Sequence, residues 1–433
     1  MSSSALALET QALWHEAVDW GVVGVFALVY LGMFLGGLPR LKLNRPGVAL
    51  LGAIAMMGLG VVSTEEAVRA VDWPTLMLLF AFMVLAAQMH LGGFFTAVVD
   101  RLGQRPMSQG RLLAALIAVA GALSAVFSND VVCLAMAPLV ARICVQRRLA
   151  PVPFLVGLAC AANIGSAATL IGNPQNMLIG SVMQLDFGRY ARLALGPVAA
   201  SLVVLWAWLR FAPLGLAARA TPAPSRDAVE PASGSPLPAG GLAMPAPDRW
   251  QMLKGLAVAL ALMAVFLATD WPREAAALVG AGILLLSRRF HSSQVMGLVD
   301  WELLVLFVGL FVVNHGFAST GLAAHALAQL AAHGVHIEQP GVLLVLALSL
   351  SNLVSNVPAV MLLLPHVGGE PAAVLLALVS TLAGNLLLVG SIANLIVVDA
   401  AQALGIDIGW RDHARIGIPV TLFSLVIVWI ALP

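Results

Sequence analysis

Most of the chain consists of long apolar segments separated by short polar stretches, and the lengths of these segments predict membrane-spanning helices. A helix needs about 20 predominantly apolar residues to cross the hydrocarbon core of a bilayer. Eight segments come close to that length without interruption, and tilting or local thinning of the bilayer accommodates the shorter ones. We therefore predict uninterrupted spans at residues 21–38, 47–62, 74–91, 193–213, 252–269, 275–287, 302–317 and 416–431.

Four further apolar regions are interrupted near their centres by polar or helix-breaking residues. Residues 112–143 and 341–366 each contain a central Ser-Asn pair, which predicts two re-entrant helical hairpins. Residues 152–183 and 371–400 each contain a cluster rich in Gly and Asn, which predicts two spanning helices that unwind at the cluster. Non-helical backbone at membrane depth persists only where protein or a watery cavity satisfies it. We therefore expect the four breaks to surround a cavity.

The second part of the sequence resembles the first. Three short motifs recur in the same order, at spacings of 228, 227 and 218 positions, and three ordered matches predict an internal repeat. The pairs are Val71-Asp72-Trp73 with Val299-Asp300-Trp301, Ser128-Asn129 with Ser355-Asn356, and Gly172 to Asn176 with Gly390 to Asn394. Residues 215–250 are rich in Pro, Ala, Gly and Ser, which predicts a flexible linker between the halves 1–214 and 251–433.

The number of spans determines the relative orientation of the halves. Each half has five spans and one hairpin, and because five is odd, the second half must be inverted relative to the first. The predicted fold is all-α, with two inverted repeats and two unwound spanning helices. If residues 40–45 are cytoplasmic, 18 of the 22 Lys and Arg residues fall on that side, as the positive-inside rule requires. This predicts an inner-membrane protein with both termini periplasmic and a cytoplasmic linker.

Composition agrees with a lipid environment and excludes several functions. The chain is 61% hydrophobic and 10% charged, whereas soluble domains carry about 25% charged residues. A net charge of +1 gives no indication of a nucleic-acid partner. The three cysteines, Cys133, Cys144 and Cys160, lack the spacing of a metal site or a disulfide framework. The sequence contains no HExxH, GxSxG or Walker A motif, so we expect neither an enzyme nor an ATPase, and no cofactor.

The four breaks contain the candidate binding residues. Each hairpin tip is followed by a helix whose first N–H groups lack helical partners and attract anionic groups, while unwound carbonyls can coordinate a cation. The tip residues are Ser128, Asn129 and Asp130 in the first half and Ser355, Asn356 and Val357 in the second. The unwound helices contribute Gly172, Asn173, Pro174 and Asn176, and then Gly390, Ser391 and Asn394. Asn163, Ser166, Thr169 and Asn385 are predicted to line the approach.

Asp130 is the only acidic residue predicted deep within a membrane segment, and its counterpart in the second hairpin is the apolar Val357. A carboxylate in the bilayer costs roughly 3 kcal/mol on insertion scales. We therefore expect Asp130 to couple transport, either as a proton carrier or as a sodium ligand. Asp72 and Asp300 are weaker candidates, predicted to cap helices, and Asp399 is predicted near the cytoplasmic mouth. Four further weak candidates lie near the ends of the third span of each half: Gln88, His90, Asn314 and His315.

The four motifs together resemble the ion transporter superfamily, in the branch of arsenite permeases, sodium/proton antiporters and citrate-transporter-like anion permeases. The resemblance implies binding of substrate and sodium at the hairpin tips, an elevator-type movement and a scaffold that forms homodimers. Symporters of this superfamily carry Ser-Asn-Thr at both tips, whereas Asp130 and Val357 replace Thr here. Arsenite permeases resemble the chain in having Asn-Asp at the first tip. A sodium ion would be held by Ser128, Asn129, Asp130 and Gly172.

The sequence therefore predicts a secondary active transporter of a small anion or oxyanion, coupled to a proton or sodium gradient. Three alternatives stay open: an arsenite efflux permease, a sodium/proton antiporter and a passive anion channel. The expected partners are the lipid bilayer, the small substrate and a second copy of the chain. A soluble ATPase partner is compatible with the sequence but is not required.

Overall fold

The computed structural model describes residues 20–38, 41–212, 246–334 and 336–432, and these are almost entirely helical. The helices of the first half are α1 (Trp20–Leu35), α2 (Arg45–Gly58), α3 (Thr64–Ala70), α4 (Trp73–Leu91), α5 (Phe94–Gln104), α6 (Gln109–Ser124), α7 (Asn129–Gln146), α8 (Pro151–Ser166), α9 (Pro174–Val182) and α10 (Phe187–Phe211). Those of the second half are α11 (Arg249–Ala268), α12 (Arg273–Leu285), α13 (Ser292–Met296), α14 (Trp301–Ser319), α15 (Leu322–Ala332), α16 (Pro340–Val354), α17 (Asn356–Leu363), α18 (Gly369–Ala383), α19 (Ile392–Gln402) and α20 (Trp410–Ala431).

Each predicted uninterrupted span coincides with one helix. Six helices of the described part are long and apolar enough to cross a membrane, and eight shorter apolar helices accompany them. Two spans begin earlier than predicted, because polar residues cap the helix before its apolar stretch. α10 begins at Phe187 rather than residue 193, where the Asp186 carboxylate accepts from the backbone N–H of Arg189. α20 begins at Trp410 rather than residue 416.

All four predicted interruptions separate two helices. α6 and α7 are separated by residues 125–128, and α16 and α17 by Ser355 alone. α8 and α9 are separated by residues 167–173, and α18 and α19 by residues 384–391, which include a 3-10 turn at Leu388–Gly390. Pro174 occupies the first position of α9, where its missing N–H costs no helical hydrogen bond. The breaks therefore lie where the sequence places its helix-breaking residues.

Some elements were not predicted. Four short helices, α3, α5, α13 and α15, connect the longer ones, and their lengths are too short for a spanning signal. The all-α prediction also misses a two-stranded antiparallel ribbon formed by β1 (Gly37–Leu38) and β2 (Leu43–Asn44). Most of the predicted linker, residues 213–245, lies outside the described residues. Its predicted end at 250 is two residues too late, because the Asp248 side chain caps α11 at Arg249.

The helices pack across the boundary between the two halves. α2 packs against α14, α4 against α12, and α10 against α20. Small residues allow close approach: a Cβ added to Gly309 of α14 would lie 2.7 Å from the backbone of Ala49 in α2. Tryptophans at helix starts are exposed, as expected for anchors at a membrane–water interface: Trp73, Trp250, Trp301 and Trp410 are 47%, 72%, 51% and 66% exposed.

Candidate functional site

The first hairpin tip lies against the first unwound helix. Asn129 is the first residue of α7, and its backbone N–H donates to the Gly172 carbonyl at 3.2 Å. Its side-chain amide donates to the Asn163 side-chain oxygen of α8 at 2.9 Å. Ser128 occupies the N-cap position but makes no capping hydrogen bond. The Ser128 hydroxyl is therefore free of the role that most N-cap serines have.

Asp130 is the second residue of α7 and is half-buried. Within the described residues, its carboxylate takes part in no ion pair and no side-chain hydrogen bond. An acidic group without a protein partner at this depth is costly, and it needs a proton, water or a cation to satisfy it. The structure thus leaves open both roles that the sequence suggests.

The second tip has a strained backbone. Ser355 lies between α16 and α17 with φ 78° and ψ 160°, a region that is populated almost only by glycine. Like Ser128, it makes no capping hydrogen bond. The buried Asn356 has an unpartnered side-chain oxygen, and its amide nitrogen lies 3.2 Å from where a Cβ on Gly384 would stand. Val357 is buried. Strain of this kind is typical of functional sites, because only surrounding structure can hold it.

The two unwound segments are capped by their own polar side chains. The Asn173 side-chain oxygen accepts from the backbone N–H of Asn176 at 2.9 Å, and the Ser391 hydroxyl accepts from the backbone N–H of Ala393 at 3.2 Å. Both glycines are tightly enclosed. A Cβ added to Gly172 would lie 2.8 Å from the Ser124 carbonyl oxygen, and one added to Gly390 would lie 2.7 Å from the Asn352 side-chain oxygen.

Asn163 of α8 connects the first half to the unwound segment of the second. Its side-chain amide donates to the side-chain oxygens of Asn385 at 2.9 Å and Asn394 at 3.1 Å. Its side-chain oxygen accepts from the Ser391 hydroxyl at 3.0 Å, in addition to Asn129. All five side chains are buried. The first tip and the second unwound helix therefore share one hydrogen-bonded cluster.

Thr381 of α18, in the second half, makes the equivalent contacts with the unwound segment of the first half. The Asn173 side-chain amide donates to the Thr381 hydroxyl at 3.2 Å, and that hydroxyl donates to the Asn176 side-chain oxygen at 3.3 Å. Asn163 and Thr381 are 218 positions apart, the same spacing that separates Asn173 from Ser391 and Asn176 from Asn394. We call these contacts, together with those of Asn163, the amide network. Each half thus binds the unwound segment of the other through an equivalent position.

Sequence reasoning missed some members of this site. Thr381 was not identified, although the spacing of 218 positions relates it to the predicted Asn163. Tyr190 of α10 was also missed: it accepts from the Asn176 side-chain amide at 3.0 Å and donates to the Ala167 carbonyl at 2.9 Å. No sequence signal indicated that a tyrosine in α10 reaches the break. The predicted residues Ser166 and Thr169 bond to backbone carbonyls within the first half.

The weaker candidates lie away from the amide network. Gln88 is buried and donates to Gln251 at 2.7 Å, and Asn314 accepts from Tyr30 at 2.9 Å, so both connect neighbouring spans. Asp72 and Asp300 cap α4 and α14, as predicted. Asp399 is exposed on α19.

The amide network is electrically neutral. Its members are Asn, Ser and Thr side chains, and Gln175 and Tyr190 bond to it through Thr381 and Asn176. Among the described residues no Lys, Arg, Asp or Glu is fully buried. Amides and hydroxyls can both donate and accept hydrogen bonds. The site is therefore suited to a small, oxygen-rich solute with little or no net charge, or to a cation held by oxygens. It offers no buried cationic side chain to a strongly charged anion.

Comparison with known proteins agrees with the sequence motifs. The chain matches the citrate transporter family, CitMHS, over residues 26–370. It is 31% identical to the silicon efflux transporter LSI3 of Oryza sativa subsp. japonica, over 92% of this chain and 94% of that protein. It is also 31% identical to the inner membrane protein YbiR of Escherichia coli, over 84% and 88% of the two chains.

A solved structure has a similar fold. The crystal structure of the YdaH transporter of Alcanivorax borkumensis aligns with a TM-score of 0.51 and 15% identity, over 97% of each chain. This likeness concerns the fold alone. The family match confirms the resemblance to citrate-transporter-like permeases, and the relatives are named as transporters or membrane proteins rather than enzymes. The chain therefore belongs to the citrate transporter family and is a multi-pass membrane transporter.

Proposed function

We propose that the protein is a secondary active transporter of a small oxyanion or of its neutral weak acid, with the substrate held between the hairpin tips and the two unwound helices. The observation that carries this proposal is the amide network, in which Asn163 and Thr381 each bind the unwound segment of the other half. Transporters built from repeats bind substrate at the interface of the repeats near the bilayer midplane. The neutrality of the network favours a substrate that is recognised by its hydroxyl and oxo groups.

Coupling to a proton or sodium gradient is proposed to act through Asp130. Its carboxylate has no hydrogen-bonding or ionic partner among the described side chains and lies next to Asn129, whose backbone N–H binds the Gly172 carbonyl. The oxygens of Ser128, Asn129, Asp130 and Gly172 are the hard ligands that a sodium ion takes. A proton on Asp130 would neutralise the same carboxylate. Proton coupling and sodium coupling are therefore to be distinguished by measuring the ion dependence of transport.

The proposed topology is that of two inverted repeats, each with five spans and one hairpin. Two observations support it: the ten helices α1–α10 follow the same order as α11–α20, and the packing pairs α2–α14 and α12–α4 exchange under the repeat. The charge count supports a cytoplasmic linker and periplasmic termini. An elevator-type movement against a dimeric scaffold belongs to the same proposal and rests on the family resemblance.

Arsenite efflux is the second candidate. Arsenite is nearly uncharged at neutral pH, and the neutral amide network suits such a species. The relative named a silicon efflux transporter makes export of a weak oxyacid a reasonable direction to test. Sodium/proton antiport would need Asp130 alone to bind both cations in turn, and the amide network would then serve only to support the tip.

Uptake into proteoliposomes tests the proposal. Purified protein is reconstituted into proteoliposomes. Silicate, arsenite, citrate or phosphate is then supplied outside the vesicles under imposed proton or sodium gradients, and its uptake is measured. We expect transport of at least one weak oxyacid that is lost in Asn356→Ala and that loses its ion dependence in Asp130→Asn. Asn314→Ala, which removes an amide bonded to Tyr30 outside the network, is the matched control. Unchanged transport and ion dependence in both site variants would exclude the proposed site.

A further inference from the structure

Two side chains, from the starts of α4 and α12, bind the C-terminal end of α9. The Ser181 hydroxyl donates to the Asp72 carboxylate at 2.8 Å, and the Arg273 guanidinium donates to the Gly180 carbonyl at 3.1 Å. Asp72 caps α4 and Arg273 begins α12, and these two helices pack together. Ser181 is buried. We call these four residues the first latch, because they tie the α9 end of one unwound helix to α4 and α12.

The internal repeat relates the first latch to a second set of four residues. Asp300 and Asp72 are 228 positions apart, as are Arg273 and Arg45. The spacing of 218 that relates the two unwound helices relates Gly180 to Val398 and Ser181 to Asp399. The set Asp300, Arg45, Val398 and Asp399 therefore occupies the equivalent places at the ends of α14, α2 and α19.

The second set does not form a latch in this structure. Among the described residues, the Asp300 carboxylate accepts only from the N–H of Leu303 in its own helix, and the Arg45 guanidinium donates to the Met33 carbonyl at 3.2 Å. Asp300 and Asp399 are both exposed. In the described part of the chain, no hydrogen bond or ion pair joins the second set. The residues of the first latch are thus bonded to one another, whereas the equivalent residues of the second set are not.

The packing of whole helices shows the same asymmetry. α4 packs on α9 and α14 packs on α17, whereas the repeat-related pairs α14 with α19 and α4 with α7 lack such packing within the described ranges. Every residue from Pro174 to Ser181 in α9 is buried. In α19, by contrast, Ile392 is 38% exposed. The structure therefore uses one of two equivalent interfaces and leaves the other open.

We propose that Asp300, Arg45, Val398 and Asp399 form the second latch in the opposite transport state, when the first latch is released. The inference rests on the proposed function, because it requires that the halves are inverted repeats. In such a transporter the two end states exchange the roles of the two halves, as one group of helices moves against the other. Contacts seen on one side are then expected between the equivalent residues on the other side.

One substitution between the two latches has a chemical consequence. The hydroxyl of Ser181 donates to a carboxylate, but Asp399 and Asp300 can share a hydrogen bond only when one of the two acids carries a proton and donates it. Two carboxylates that share a site do not both remain ionised. The second latch therefore takes up a proton when it forms, and the state that contains it becomes more populated as pH falls. One proton changes the ratio of the two states by up to about tenfold per pH unit.

Other charged groups lie on the elements packed around the second latch. Arg45 of α2 is part of it, and Glu302 of α14 accepts from the Asn44 side chain at 2.9 Å. α7, which packs on α19, carries Asp130 and Arg142. α8 also packs on α19 and contains no charged residue. Two acids, Asp130 and Glu302, oppose ionisation of the Asp300–Asp399 pair, and two arginines, Arg45 and Arg142, favour it.

Cross-linking in membrane vesicles tests the inference with both latches intact. Trp73→Cys with Val182→Cys reports the first latch, and Trp301→Cys with Ala400→Cys reports the second, because each pair adjoins its latch. The three native cysteines are buried and do not compete. A short bismaleimide should link the first pair at neutral pH. It should link the second pair increasingly as pH falls, by up to about tenfold per pH unit.

Two matched variants separate geometry from charge. Asp399→Ser gives the second latch the same Asp–Ser pair as the first, and we expect cross-linking of Trp301→Cys with Ala400→Cys to lose its pH dependence. Ser181→Asp gives the first latch an acid pair, and we expect cross-linking of Trp73→Cys with Val182→Cys to fall at neutral pH and to recover in acid.

Two results would overturn the inference. One is absence of the second cross-link at every pH in protein that forms the first cross-link. The other is an unchanged pH profile in Asp399→Ser. These readouts require no substrate, so they are independent of the uptake assay. A protein that forms both cross-links as expected but moves none of the tested solutes would contradict the proposed substrate class and leave the second latch standing. Transport without the second cross-link would do the reverse.

Discussion

Replacing Asn163 by alanine tests the amide network most directly, because this side chain bonds to more partners than any other member described here. Its oxygen accepts from Asn129 and Ser391, and its amide donates to Asn385 and Asn394. All of these side chains are buried. The substitution removes four hydrogen bonds at once and leaves their partners buried without them.

The expected loss follows from the number of bonds. A net contribution of about 1 kcal/mol per hydrogen bond gives about 4 kcal/mol, and the smaller average of about 0.6 kcal/mol measured inside membranes gives roughly 2.4 kcal/mol. Thr381→Val removes the equivalent group of the other half. It should cost less, because the three hydrogen bonds of that hydroxyl are longer, at 3.2 Å, 3.2 Å and 3.3 Å.

The measurement is thermal unfolding of detergent-purified protein, followed by loss of the monodisperse peak. Asn314→Ala is the control, because it removes one amide that bonds to Tyr30. We expect Asn163→Ala to lower the apparent unfolding temperature most, Thr381→Val less and Asn314→Ala least. The reasoning is refuted if Asn163→Ala is no more destabilising than the control, since four buried bonds would then contribute no more than one.

Three further predictions concern the backbone of the site and its surroundings. Gly172→Ala should abolish transport, because its Cβ would lie 2.8 Å from a carbonyl oxygen of α6; Gly196→Ala, with open space around it, should transport normally in the same uptake assay. Ser355→Gly should raise the unfolding temperature by relieving strain of about 1–3 kcal/mol, while transport falls through loss of the hydroxyl; unchanged stability would argue against strain. Arg147→Leu removes a guanidinium that binds backbone carbonyls between α5 and α6, so limited proteolysis should cleave that loop faster than in wild type.

Local sequence signals predicted the helices and their breaks well. Hydrophobic length determines a spanning helix, and Gly, Pro, Ser and Asn interrupt the helical hydrogen-bond ladder at their own positions. The four breaks therefore lie where these residues interrupt the apolar segments. The starts of α10 and α20 were placed too late, because the polar first turns outside the hydrocarbon core depend on capping by Asp186 and on the turn at Gly409 rather than on hydrophobicity.

The partners of each polar side chain were not predictable in the same way. Which amides meet depends on how helices separated by more than 200 positions cross, and no local pattern encodes that crossing. Asn163 was predicted only to line the approach, yet it is the centre of the network, and Thr381 was missed because a lone threonine in an apolar helix is ordinary. The internal repeat was the signal available, since its spacing of 218 positions relates the two residues.

A proton changes the balance between the two end states only if the two halves differ in their ionisable groups. Under inverted repeats that were identical in every charge, the two end states would have equal energy and equal affinity for protons, and a ligand with equal affinity for two states shifts neither. The amide network is neutral on both sides, so it provides a site without favouring a state. Two of the charge differences lie at Asp130 against Val357 and at Asp399 against Ser181. Asp130 lies in α7 and Asp399 in α19, and these two helices pack together. Protonation of these two acids is therefore how a proton gradient can act on the equilibrium between the end states.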